Sequence, residues 1–95
     1  MITIHAVKHN EHGKSANRRL RASNLLPAVL YGGKKQAVSI ILDLHKITQL
    51  QNQKEFYNGP LTIIIDGQEN IVKIQDIQYH PFKPKILHVD FIRIV

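Results

Sequence analysis

The residues best suited to chemistry in this sequence form a basic cluster near the N-terminus. Within the segment 13–21, Lys14, Arg18 and Arg21 follow the spacing i, i+4, i+7, which places them on one face of a helix. A cationic helix face suits contacts with a phosphate backbone. The alternative is a solvated surface helix of ordinary basic content, and the spacing alone leaves both possibilities open.

The distribution of charge along the chain favours the phosphate-binding interpretation. The 95 residues carry a formal net charge of +6. Seven basic residues and one acid, Glu11, lie in residues 1–35, whereas residues 36–95 contain six basic and six acidic residues. The whole excess therefore lies in the first third of the chain, where it produces a local field that attracts polyanions.

Two further groups of residues are candidates for ligand contacts. Tyr31-Gly32-Gly33-Lys34-Lys35 combines an aromatic ring, flexible backbone and charge. Glycines in a hairpin turn need no ligand, however, and the spacing is not that of a P-loop. Near the C-terminus, His88 and Asp90 share the polar face of a predicted strand, and Gln75, Asp76 and Gln78 precede it. Such a mixture suits RNA 2′-hydroxyls and base edges, but it is equally typical of half-exposed strands.

Catalytic and metal-binding chemistry are not expected. The chain has six histidines and no cysteine; His5, His9 and His12 lie close together, but without a predicted helix or a carboxylate partner of known spacing, which favours a phosphate-facing or solvent role over zinc. No nucleophilic triad, carboxylate pair or dinucleotide-binding fingerprint occurs. We expect no catalytic residues, no metal, no cofactor and no small-molecule substrate. The lack of cysteine fits a reducing compartment, and no apolar run approaches the ~20 residues that span a membrane, so we expect a cytoplasmic protein with no membrane partner.

The sequence predicts a mostly β domain that spans residues 1–95. Alternating or β-branched segments predict strands at 2–8, 27–31, 37–42, 61–65, 71–75 and 85–93. Asp66-Gly67 predicts a tight hairpin turn, and Asp43 predicts the N-cap of a helix whose apolar face holds Leu44, Ile47 and Leu50. A second helix is predicted over about 14–24. In the last strand, Leu87, Val89 and Phe91 are expected to share one face. Six or seven strands and two short helices indicate a curled, mostly antiparallel sheet. Closure of this sheet into a barrel would hide its edges.

Several separated blocks of this sequence resemble one known family. They are Gly13-Lys14 with Arg18-Arg19-Leu20-Arg21, Leu26–Gly33, Glu55-Phe56-Tyr57, Gln75–Pro81 and His88–Phe91. In order and spacing they resemble the bacterial ribosomal large-subunit protein number twenty-five, the 5S rRNA-binding family, in its short single-domain form. The resemblance covers the whole chain, although His9, Asn10 and Asn17 depart from the residues that are common in the family.

The resemblance implies a six-stranded closed β-barrel with two or three short helices. It also implies binding to the loop E and helix IV region of 5S rRNA in the central protuberance, beside neighbouring rRNA and ribosomal proteins, with a monomer away from the ribosome. The implied RNA contacts are Gly13, Lys14, Arg18, Arg19, Arg21, Tyr31, Gln78, His88 and Asp90. Residues expected at the edge of the contact are Lys8, His9, Asn17, Lys34, Lys35, Lys83 and Lys85.

Other classes of protein remain as alternatives at this stage. A similar barrel binds the anticodon in glutaminyl-type tRNA synthetases, so a tRNA-binding accessory module is one alternative. A stress-linked ribosome-binding factor is another, because longer relatives of the family carry that name. DNA binding is the weakest alternative, since no recognition helix with base-reading residues is evident.

Overall fold

The computed structural model of the protein describes residues 1–9, 19–20 and 22–94. Six strands and two α-helices lie wholly within these ranges. They are β1 (Ile2–Lys8), β2 (Leu25–Gly32), β3 (Lys35–Asp43), α1 (Leu44–Leu50), α2 (Lys54–Asn58), β4 (Leu61–Ile65), β5 (Gln68–Tyr79) and β6 (Ile86–Arg93). Every predicted strand is present, and β2, β3 and β5 extend beyond their predicted bounds.

The six strands close into a barrel in the order β1-β3-β2-β6-β5-β4. Four of the six pairings are antiparallel, whereas β1 pairs with β4 and β2 pairs with β6 in parallel. Closure gives each of the six described strands a partner on both sides, which removes a common route to aggregation. The predicted closed, mostly antiparallel barrel is therefore confirmed.

Apolar side chains from all six strands and both helices fill the barrel. Phe56 of α2 and Phe91 of β6 are the largest of the fully buried side chains. The core consists of Ile4, Ala6, Leu26, Ala28, Leu30, Ile40, Leu42, Ile47, Leu50, Phe56, Leu61, Ile63, Ile65, Val72, Ile86, Val89 and Phe91. Since strand side chains alternate between the two faces, this filling fixes which residues point outward.

Two tight hairpins set the register of neighbouring strands. Asp66 and Gly67 have φ angles of 51° and 78° and join β4 to β5, as predicted. Gly33 and Lys34, with φ angles of 68° and 62°, join β2 to β3 in the same way. Positive φ at both central residues is typical of the type I′ turn, whose twist matches that of the strands. The glycines of the second hairpin thus have a structural role that needs no ligand.

Two β-bulges shift the face on which the side chains of β5 and β6 lie. Ile74 pairs with Phe91 and Asp76 with Asp90, so Gln75 is an extra residue. Gln78 pairs with His88 and Tyr79 with Ile86, so Leu87 is an extra residue on β6. The prediction that Leu87 shares the face of Val89 and Phe91 is therefore wrong. Ile86 is buried instead and Leu87 is half-buried, because the bulge breaks the two-residue alternation.

The helix that follows β3 begins where the sequence predicts. The Asp43 side chain accepts a hydrogen bond of 3.0 Å from the backbone N–H of His45, and Ile47 and Leu50 are buried. A second helix, α2, was not predicted as a helix; its Phe56 side chain is buried in the core. Most of the predicted helix at about 14–24 lies outside the described residues. Arg19, Leu20 and Ala22 are helical, and the Ser23 N–H donates to the Arg19 and Leu20 carbonyls at 3.2 and 3.0 Å.

Candidate nucleic-acid interface

A polar surface lies on the outer side of β6 and its two neighbours. We call it the outer β6 surface and define it by Tyr31, Gln78, His88 and Asp90. Gln78 of β5 pairs directly with His88 of β6, and Tyr31 of β2 pairs with Ile92, two residues beyond Asp90. Val89 and Phe91 point into the core, so His88 and Asp90 point outward, as predicted. The structure therefore brings these four sequence-predicted residues onto three adjacent strands.

His88 and Asp90 form a pair within this surface. The His88 Nδ1 lies 2.9 Å from the Asp90 Oδ1, and the two side chains are 28% and 32% exposed. An ionised carboxylate can only accept hydrogen bonds. The His88 Nδ1 therefore carries a hydrogen and donates a hydrogen bond to the Asp90 Oδ1. The bond fixes the orientation of the imidazole ring. It leaves Nε2 and the second carboxylate oxygen as polar groups for another partner.

A second carboxylate faces Asp90 across the strands. Asp76 is exposed and is the cross-strand partner of Asp90, in the position next to the Gln75 bulge. Like charges opposite each other are unfavourable in a sheet. Two carboxylates also repel phosphates, so this part of the surface does not suit a phosphate backbone. It suits hydrogen-bond donors, such as base amino groups and 2′-hydroxyls.

An arginine holds the hairpin beside Tyr31 in place. The Arg93 guanidinium donates hydrogen bonds to the carbonyls of Gly32 at 2.7 Å and Gln36 at 3.2 Å. Its Nε is buried and has no hydrogen-bond partner among the described residues. Arg93 thereby joins the end of β6 to both sides of the β2–β3 hairpin. Sequence reasoning did not identify this role, because no motif links residues 61 positions apart.

The cations predicted at the edge of the contact lie in three different environments. Lys34 and Lys35 are exposed in the β2–β3 hairpin, and Lys83 and Lys85 are exposed in the loop between β5 and β6. These two groups therefore lie at opposite ends of β6. Lys8 is different, because its Nζ lies 3.5 Å from the Asp66 Oδ2. An exposed pair of this kind is worth only about 0–1 kcal/mol, so Lys8 can exchange it for a phosphate.

The remaining predicted contacts lie in or next to the basic segment. Arg19 is exposed in the short helical turn, and the His9 backbone N–H donates to the Ser39 carbonyl at 2.8 Å. The other members of the predicted set lie outside the described residues. They are Gly13, Lys14, Asn17, Arg18 and Arg21.

Two kinds of site are absent from the part of the chain that the structure describes. No group of three or more His, Cys, Asp or Glu side chains there is arranged to hold a metal ion. Neither of the two described helices is long and apolar enough to cross a membrane. The candidate interface consists of charged, amide, imidazole and phenol groups.

The comparison with known families identifies the family of this chain. The model of the Ribosomal L25p family matches residues 4–91 of the chain. The chain belongs to the Ribosomal L25p family. It is therefore a ribosomal protein of the large subunit, which binds RNA and takes part in translation. Proteins of this family are generally not enzymes. The match includes both the basic segment and the outer β6 surface.

Proposed function

We propose that this protein binds 5S rRNA at the loop E and helix IV region and helps to hold that RNA in the central protuberance of the large subunit. The family membership supports a ribosomal role, and the resemblance of individual blocks supports the choice of 5S rRNA. The observation that carries the proposal is the His88–Asp90 pair beside Gln78, since it presents fixed donors and acceptors on the outside of a rigid barrel.

Two parts of the protein have different roles in RNA binding. The basic segment, with Lys14, Arg18, Arg19 and Arg21, neutralises phosphates along the edge of a groove and supplies affinity and salt dependence. The outer β6 surface contacts 2′-hydroxyls and base edges and supplies selectivity.

The carboxylates of the surface support a role in selection. Asp76 and Asp90 face each other across β5 and β6, and neither is compensated by a described lysine or arginine. The phosphates that border the grooves of ordinary duplex RNA are repelled by the two carboxylates. We expect the non-helical groove of loop E to place its base amino groups and 2′-hydroxyls where the same carboxylates accept hydrogen bonds from them, an arrangement that a regular duplex does not reproduce. The surface therefore discriminates by both attraction and repulsion.

A competition experiment tests the proposed RNA against tRNA. The chain is bound to labelled 5S rRNA, and unlabelled 5S rRNA or unlabelled tRNA is added in increasing amounts. We expect 5S rRNA to displace the label at a concentration at least tenfold lower than tRNA. Equal displacement by both RNAs, or stronger displacement by tRNA, would contradict the proposal and favour the tRNA-binding alternative.

A further inference from the structure

The loop between β5 and β6 exposes an aromatic ring next to the outer β6 surface. Phe82 is 90% exposed, more than any other large apolar side chain among the described residues. The loop connects Tyr79 to Ile86, which pair directly with each other. It therefore lies at the tip of the same two strands that carry Gln78 and His88. An exposed ring at this position forgoes the stabilisation that burial would bring.

Hydrogen bonds and prolines hold the loop in a defined shape. The His80 N–H donates to the Lys85 carbonyl at 2.8 Å, and the Lys85 N–H donates to the Lys83 carbonyl at 2.7 Å. The Phe82 N–H donates to the His80 Nδ1 at 3.1 Å. Pro81 and Pro84 restrict their own φ angles and their neighbours. The backbone that carries the ring is thus ordered before binding, which lowers the entropy lost when a partner binds.

The charge around the ring indicates the chemistry of that partner. Lys83 and Lys85 are both exposed, and no acidic residue occurs between Asp76 and Asp90. The His80 ring contacts Phe82 edge-on, with centroids 6.2 Å apart, which leaves a face of the phenyl ring for stacking. An exposed π-face followed in the same loop by two exposed cations matches an unpaired nucleotide, whose base stacks while its phosphates meet the lysines.

We propose that the 80–85 loop is a second RNA subsite, in which Phe82 stacks on an unpaired base and Lys83 and Lys85 contact the flanking phosphates. This inference rests on the proposed function, because it extends the RNA contact of the outer β6 surface to the tip of the same hairpin. The base belongs either to 5S rRNA itself or to a neighbouring strand of large-subunit rRNA.

A tryptophan reporter tests the stacking directly. The chain contains no tryptophan, so F82W introduces a single indole at the proposed subsite. Its emission is recorded on addition of 5S rRNA and again after incorporation into complete large subunits. We expect a stacked base to quench the emission in at least one of the two cases. Quenching by 5S rRNA alone assigns the base to 5S rRNA, whereas quenching only in the large subunit assigns it to a neighbouring strand of large-subunit rRNA. K46W places the same reporter on the exposed side of α1 and serves as the matched control, with unchanged emission.

Affinity measurements give an independent readout. F82A and F82L are compared with the unsubstituted chain on the RNA that quenches the reporter. Neither alanine nor leucine has a ring face for stacking, although leucine keeps an apolar side chain. Both variants should therefore bind about tenfold more weakly. Since Phe82 is exposed, neither substitution should disturb folding, which circular dichroism checks.

The outcomes separate this inference from the proposed function. Unchanged F82W emission in both cases, or F82L binding as tightly as the unsubstituted chain, overturns the subsite. A brighter, blue-shifted emission in the subunit also overturns it, since that change reports an apolar protein pocket. If the unsubstituted chain fails to bind 5S rRNA while F82W is quenched in the subunit, the proposed function fails and the RNA subsite stands.

Discussion

The imidazole Nδ1 of His88 and the carboxylate Oδ1 of Asp90 lie 2.9 Å apart on the outer side of one strand. Residues two apart in a strand share a face, and here the shared face is turned away from the core. Both side chains are about 30% exposed, so we expect the pair to add less than about 1 kcal/mol to the free energy of unfolding. Substitutions at this pair therefore report on RNA selection with little effect on folding.

The first prediction concerns Asp90. Replacing its carboxylate with an amide, as in D90N, keeps the shape but removes the charge and one acceptor. We expect the preference for loop E over plain duplex to fall several-fold, with little loss of affinity for the duplex, as measured by titration against both RNAs. E55Q is the matched control, because Glu55 is also paired, to the Met1 amino group, and neither residue is among the predicted RNA contacts. Equal losses of affinity for the two RNAs in D90N would contradict the assignment of selectivity to this surface.

The second prediction concerns salt. If the basic segment neutralises four or five phosphates, a plot of log affinity against log salt concentration should have a slope of about −3 to −5. R18A should weaken binding to all RNAs and make the slope shallower by about 0.7 to 0.9. K46A, which removes a lysine from α1, should leave the slope unchanged. An R18A slope equal to that of the unsubstituted chain would show that Arg18 contacts no phosphate.

The third prediction compares two glycines in hairpins. Gly32 has a φ angle of +92°, and a Cβ there would lie 2.9 Å from the Ile92 Cγ1. Gly67 has a φ angle of +78°, and a Cβ there meets no atom within 4 Å. G67A should therefore lose about 1–2 kcal/mol of unfolding free energy to backbone strain. G32A should lose about 1–3 kcal/mol more, because Ile92 must shift. Urea denaturation measures both, and equal losses would show that Ile92 moves freely.

The fourth prediction concerns the ionisation of Tyr57. Burial, a hydrogen bond with the Tyr79 side chain and the charge of Tyr79 raise the pKa of Tyr57 from 10.0 to about 12. The unfolded chain therefore loses this proton first, and the contribution to stability is complete below about pH 10 and is lost as the pH rises toward 12. Absorbance of the phenolate should show a late step at high pH that Y57F removes and Y31F does not. Y79F should move the late step to lower pH, and a step that stays in place would exclude the hydrogen bond as a cause.

Local signals in the sequence were sufficient to predict much of the barrel. Asp66-Gly67 predicted its hairpin because few other residue pairs accept positive φ angles at two successive positions. Asp43 predicted its helix because the carboxylate satisfies an N–H that the helix cannot. The outward orientation of His88 and Asp90 followed from alternation. Closure into six strands came from the family resemblance, since alternation alone left the number of strands at six or seven.

Other features depend on contacts that a linear pattern does not show. The bulges at Gln75 and Leu87 were missed, although Ile74 and Ile77, like Ile86 and Val89, are three apart instead of two. The five residues of α2 were missed because one helical turn is too short to show periodicity. Arg93 was not assigned a role, because its partners lie in a distant hairpin. The exposure of Phe82 was likewise missed, since the prolines around it indicated a loop but not the direction of its ring.

Binding to a 5S rRNA fragment that contains loop E tests the central claim most directly. The control is the same fragment with loop E replaced by Watson–Crick pairs, which keeps the number of phosphates the same. The account predicts at least tenfold tighter binding to loop E, a difference of about 1.4 kcal/mol. Equal binding to the two fragments would contradict it, because the outer β6 surface would then contribute no selectivity.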